Sequence, residues 1–99
     1  MLERFSEKQI EGLRMSVKEA NLSVRATNWL RNGLFAIYGG DDCFIYQLVT
    51  LTNAQMLRIP LFGPRSLKEV NNWLVKYDLT SGMEFSEDEI AALEKLLPK

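Results

Sequence analysis

A guanidinium, a hydroxyl and a run of unpaired backbone N–H groups gathered at one turn make an anion site. Gly63-Pro64-Arg65-Ser66 is where this protein gathers them. Proline fits the first turn of a helix, where its missing N–H costs nothing. A helix starting near Pro64 therefore directs its free N–H groups and the positive end of its dipole outward. Arg65 adds a fixed cation beside those donors, and the Ser66 hydroxyl is a further donor. The anion such a turn suits is phosphate. The same residues also read as a plain turn between two core helices with Arg65 solvated, because similar hairpins serve protein contacts.

A second polar set lies earlier. Leu22-Ser23 opens a helix, with Ser23 as its N-cap, that is expected to run to about Asn32-Gly33. Leu22, Ala26, Leu30 and Gly33 share one side of it, while Arg25, Asn28 and Asn32 share another. Trp29 sits on the boundary, one turn beyond Arg25 and close enough to stack with it. The bland alternative is a solvated face with a half-buried tryptophan.

What the sequence lacks narrows the choice. There is no histidine, which removes the commonest acid–base group and metal ligand. The single Cys43 cannot form an internal disulfide and fits a reducing cytoplasm. Asp41-Asp42 has no third ligand at a recognisable spacing, and Glu69 is the lone acid near the hairpin, too little for nuclease chemistry. We expect no enzyme, no metal, no cofactor and no small-molecule substrate.

The elements that must position these groups follow from periodicity and caps. Pro60 forces Ile59 out of the helical region and stops the helix that begins at Thr52, where Gln55 completes a capping box. Gly63 is expected to take the positive φ of the turn. Ser66 and Glu69 read as a capping box, and Leu67, Val70, Leu74 and Tyr77 as the buried stripe of the second helix. The result is a helix-hairpin-helix. At the N-terminus, Ser6 and Gln9 form a box, Phe5 staples onto Ile10, and Ile10, Leu13, Val17 and Ala20 follow at helical spacing, giving a helix over 6–20. Ser86 with Glu89, and Phe85 with Ile90, repeat that start for a helix over 86–97 that Pro98 ends, after a turn at 78–82. Between them, 33–47 is the least readable stretch. Gly39-Gly40 is a breaker there, Asp41 or Asp42 is a possible cap for a short helix through Leu48, and Leu34, Phe35, Ile37, Tyr38, Phe44, Ile45 and Tyr46 are expected in the core. The fold class is all-α, five to six short helices in one 99-residue domain.

The charge is unevenly placed. From Asn21 to Thr80 six cations face four anions, a surplus of +2, whereas from Ser81 onward two cations face five anions, a deficit of −3. The middle suits a phosphate backbone and the tail repels one. No apolar run approaches the roughly 18 residues of a membrane span, and MLERFSEKQIEGLR lacks the apolar stretch of a signal peptide. The expected location is cytoplasmic.

Two segments together resemble one family. LSVRATNWLRN (Leu22–Asn32) and LTNAQMLRIPLFGPRSLKEVNNWL (Leu51–Leu74), with LTSGM (Leu79–Met83) as a closing turn, are similar to the C-terminal domain of the bacterial RNA polymerase α subunit. The resemblance covers about 22–83 and leaves the helices over 6–20 and 86–97 as additions. It implies a compact all-helical domain that docks on the minor groove of A·T-rich double-stranded DNA and touches activators and σ factor. By that resemblance Arg25 enters the groove with Asn28 beside it, Gly63, Arg65 and Ser66 meet the phosphate backbone, and Glu69 supports them. The sequence departs from the family at Trp29, usually a smaller residue, at Pro64, often basic, and over 33–50, which is longer. With no polymerase-assembly domain ahead of it, the sequence reads as a free-standing relative. The alternative function is a protein-interaction module that binds polymerase, σ factor or a transcription regulator with little DNA affinity; the acidic tail and Pro64 favour it.

Overall fold

Reciprocal capping boxes fix most of the helix starts in the computed structural model, which describes residues 2–40 and 43–97. Ser6 caps α1 (Glu7–Leu13), Thr52 caps α4 (Asn53–Leu57) and Ser86 caps α6 (Glu87–Leu96), each accepting from an N–H three residues on. In each case the Gln or Glu at that position returns a bond to the cap's own N–H, so two orphan donors are satisfied at once. Ser23 caps α2 (Val24–Tyr38), α3 (Ile45–Leu48) is a single turn, and α5 is Pro64–Lys76. Six α-helices and no strand occur among the described residues, and none of these helices is long and apolar enough to cross a membrane.

One core joins them. Leu13, Val17, Leu30, Leu34, Ile45, Leu48, Met56, Val70, Leu74, Leu79 and Leu93 are fully enclosed and come from every helix or from the turns between them. α2 crosses the middle, packed against α3 and α5. Trp73 and Leu74 are both buried on α5, with the Trp73 ring 4.7 Å from that of Tyr77. The C-terminal segment is tied down twice. Gly82 and Met83 donate backbone N–H groups to the Leu51 and Val49 carbonyls at 2.8 and 2.7 Å. Arg4 donates to both Glu89 carboxylate oxygens, at 2.6 and 3.1 Å, and to the Glu84 carbonyl. Those bonds, with the Ser86 backbone, hold the Glu89 carboxyl down to about 2.

Several elements depart from the sequence reading. The expected helix over 6–20 breaks after Leu13, and a separate 3-10 turn covers Val17–Ala20 with its own Ser16–Glu19 box. The break lets the Met15 carbonyl accept from Ile45 and the Val17 N–H donate to Cys43, a pairing no local pattern encodes. α2 does not end at Gly33 but runs on to Gly39, which closes it at φ +76° with its N–H on the Phe35 carbonyl. Of the apolar residues expected in the core, Leu34, Ile45 and Tyr46 are buried and Phe44 is half-buried, whereas Phe35, Ile37 and Tyr38 are exposed on the added last turn. Phe44 is the cap of α3, its N–H donating to the Gln47 side chain; Asp41 and Asp42, read as possible caps, and Pro98, read as a stop, lie outside the described residues.

Candidate nucleic-acid interface

The hairpin is anchored by its apolar residues and presents its others. Ile59 and Phe62 are buried, and the Phe62 N–H closes the turn on the Ile59 carbonyl at 3.0 Å. Pro60 and Leu61 are left exposed between them. The positive φ expected at Gly63 falls on Leu61 instead, at +68°, while Gly63 is extended at φ −101°, ψ −178°. The turn reverses two residues earlier than the glycine, so Gly63 serves as the N-cap of α5 and Pro64 as its first residue.

Ser66 and Glu69 do not form a capping box, because the helix has already started at Pro64 and Ser66 is its third residue, largely buried. Among the described residues α5 has no cap from a side chain. Its first-turn N–H groups at Arg65 and Ser66 have no partner within the helix, as at any helix start. A Cβ placed on Gly63 would meet no described heavy atom within 4 Å. The fold therefore has room for a side chain at this position, and its bare backbone leaves the helix end open to a close approach from outside. Arg65 and Lys68 lie beside it, Arg65 exposed and facing solvent.

Two contacts fix where α2 stands relative to this turn. The Glu69 carboxylate reaches across to the start of α2, accepting from the Ser23 hydroxyl at 2.9 Å and from the Ser23 backbone N–H. An anion at that helix start also complements the dipole of α2. On the other side of the hairpin, Ile59 lies so close to α2 that a Cβ on Gly33 would come 2.7 Å from its Cδ1 and 2.9 Å from its Cγ1. This explains a glycine in mid-helix, normally about 1 kcal/mol worse than alanine.

Arg25 and Asn28 lie on α2, and Trp29 packs on the core from its boundary position. The Arg25 guanidinium lies 5.5 Å from the Trp29 ring centroid, so the indole steadies the cation along the helix. Asn28, Arg31, Asn32, Phe35 and Gly40 line a shallow cleft of about 370 Å³ on this side of α2. Glu69 thus joins the helix carrying Arg25, Asn28 and Trp29 to the one carrying Arg65 and Ser66 and capped by Gly63. Arg31 and Phe35 line that cleft, and Val24 and Leu61 are exposed; the sequence reading does not include any of the four as site residues. Arg31 lies within the helix expected from the sequence, and helical spacing adds Phe35 once α2 is known to continue; nothing local marks Leu61.

Among the described residues no group of acids and cysteines is arranged to hold a metal. The α5 start offers an exposed cation and first-turn N–H groups with no partner within the helix, and α2 offers a steadied guanidinium.

Residues 3–76 match the family described as the C terminal domain of the bacterial RNA polymerase alpha chain. That span begins in the N-terminal segment, so it takes in α1 and the 3-10 turn and stops short of α6. The protein is 46% identical over 68 residues to the DNA-directed RNA polymerase subunit alpha of Rickettsia rickettsii (strain Sheila Smith), covering 69% of this sequence and 18% of that one. It is 40% identical over 74 residues to the corresponding subunit of Desulforapulum autotrophicum, covering 75% of this sequence and 20% of the relative. The match therefore spans about a fifth of the length of these curated relatives.

Proposed function

The protein belongs to the family of C-terminal domains of the bacterial RNA polymerase alpha subunit, and from that premise we propose that it is a transcription-related module that docks on double-stranded DNA. The α5 N-terminus and Arg65 hold the phosphate backbone, with Ser66 contributing its backbone N–H from a buried position. Arg25 enters the minor groove of A·T-rich DNA, where narrowing deepens the negative potential, and Asn28 lies one turn along. Trp29 steadies Arg25. Glu69 touches no DNA and holds the two helices in register through Ser23.

One observation carries this reading: among the described residues the start of α5 has no side-chain cap, and its N-cap is a glycine with open space where a Cβ would stand, on a helix tied to the one bearing Arg25. The test is fluorescence anisotropy with A·T-rich and G·C-rich duplexes over a salt series. Three phosphate contacts predict a log–log slope of roughly −3, at about −0.9 per contact. Arg65→Ala should weaken both duplexes alike and reduce the slope by about one contact, whereas Arg25→Ala should erase the preference for A·T-rich DNA. An unchanged ratio between duplexes for Arg25→Ala would remove the groove-reading role.

A second reading has its own observation. Phe35, Ile37 and Tyr38 are about half exposed on the last turn of α2. Aromatic and aliphatic groups left open together suit a protein contact, here with polymerase, σ factor or a regulator. Binding of purified polymerase to the wild type and to Phe35→Ser/Ile37→Ser measures that contribution; equal binding by both would exclude this surface.

A further inference from the structure

Leu61 occupies the apex of the hairpin, 77% exposed and at φ +68°. Among the described residues two other non-glycine positions take a positive φ, Asn21 and Asp78, and both are types whose short polar side chains tolerate it. Leucine has no such compensation. It is strained in its backbone and wet at its side chain, and the fold gains nothing visible from it, since Ile59 and Phe62 supply the hairpin's buried anchors. Strain maintained by over-determined surroundings is a pointer to function. Here the surroundings are Pro60 before the apex, Pro64 after it and the closed Phe62–Ile59 turn. The apex is a rigid apolar prong.

We propose that Leu61 is a wedge that enters the minor groove and packs against the deoxyribose walls and base edges. This rests on the DNA-docking reading of the same hairpin. The occupant follows from the flanks: Arg58 before the apex and Arg65 after it are exposed cations, and the open α5 N-terminus adds N–H donors. Cations and N–H donors on one hairpin suit phosphates, and an apolar tip carried by that same hairpin meets the groove those phosphates line. Apolar side chains inserted from such positions are a known way for proteins to grip the minor groove. The contact releases no counterions, so its contribution does not vary with salt, unlike that of Arg65.

The test is the same salt-series anisotropy with wild type, Leu61→Gly, Leu61→Met and Arg65→Ala. Glycine adopts the left-handed conformation freely and adds no new group, so Leu61→Gly should keep the melting temperature within a few degrees of the wild type. It should lose affinity by about fivefold, the effect of withdrawing part of a leucine from an apolar contact, by the same factor at every salt concentration and with an unchanged slope. Leu61→Met keeps an apolar tip and should bind within about twofold of the wild type. If Leu61→Gly binds like the wild type, or if its loss appears as a reduced slope, the wedge is refuted while DNA docking stands. A Leu61→Met protein as weak as Leu61→Gly also refutes it, since an apolar tip would then not be what the groove recognises. Failure of the wild type to bind any duplex at low salt overturns the docking reading itself, and the wedge with it.

Discussion

Gly33→Ala should destabilise this protein, against the ordinary rule for helix interiors. In an unhindered helix the change is worth about +1 kcal/mol in stability. Here the added Cβ lies 2.7, 2.9 and 3.3 Å from Ile59 Cδ1, Cγ1 and Cγ2. The first two lie where something must shift and the third is tight, all on one buried, branched side chain, and overpacking of this kind costs about 1–3 kcal/mol. The net expectation is a loss of about 1 kcal/mol, or roughly 4–8 °C for a domain of this size. Ile59→Ala removes all three atoms at an expected cost of about 2–5 kcal/mol. On that background Gly33→Ala should reverse sign and stabilise by about 1 kcal/mol, because only the helix gain remains. The coupling between the two sites is then about 2 kcal/mol, well above the additivity error of distant sites. Urea unfolding of the four proteins, with a shared m-value, measures it. Gly33→Ala that stabilises by the same amount in both backgrounds would refute the contact, and with it the claim that Ile59 against α2 sets the place of the hairpin.

Gly63→Asp should raise the melting temperature by a few degrees, since aspartate caps a helix N-terminus well and complements its dipole by about 0.5–1 kcal/mol. It should also lower duplex affinity at least tenfold, because the same carboxylate then occupies the anion site. Glu69→Gln removes a negative charge near a proposed DNA surface, and a simple charge model expects tighter binding. The Ser23 contacts predict the opposite in anisotropy, weaker binding, together with about 1 kcal/mol lost stability in urea. For Glu89 the folded value, about 2, lies below an unfolded value of 4.5. Protonation therefore favours the unfolded state, so the stabilisation from Arg4 is complete above about pH 4.5 and is lost as pH falls toward 2. Acid unfolding followed by circular dichroism should show that loss, and Arg4→Gln should flatten it.

The parts of this fold that a sequence discloses are those written in neighbouring residues. Ser6 with Gln9, Thr52 with Gln55 and Ser86 with Glu89 each complete their bonds within four positions, and all three are present as read. The Arg25–Trp29 stack is equally local, one helical turn. Where the reading fails, a distant residue decides. Gly33 looks like a helix end, but it is a mid-helix gap filled by Ile59. Ser66 and Glu69 match a capping pattern, but Pro64 has already opened the helix and Glu69 is bound to Ser23, far away in sequence. Ser16 sits in what looks like an unbroken amphipathic helix, whose burial pattern survives because Leu13 and Val17 both reach the core across the break. The positive φ at Leu61 rather than Gly63 defies propensity outright, which is why sequence patterns leave the exposed tip of the hairpin out of the candidate site.

The most direct measurement of the central claim, that one surface built from two tied helices meets DNA, is a titration of the 15N-labelled protein with an A·T-rich duplex at low salt. The amides of residues 61–66 (Pro64 excepted) and 24–29 and the Trp29 indole N–H should shift together along one binding curve, while those of α6 (Glu87–Leu96) stay in place. Shifts confined to the exposed end of α2 around Phe35–Tyr38, or none in residues 61–66 with duplex in excess, would contradict it.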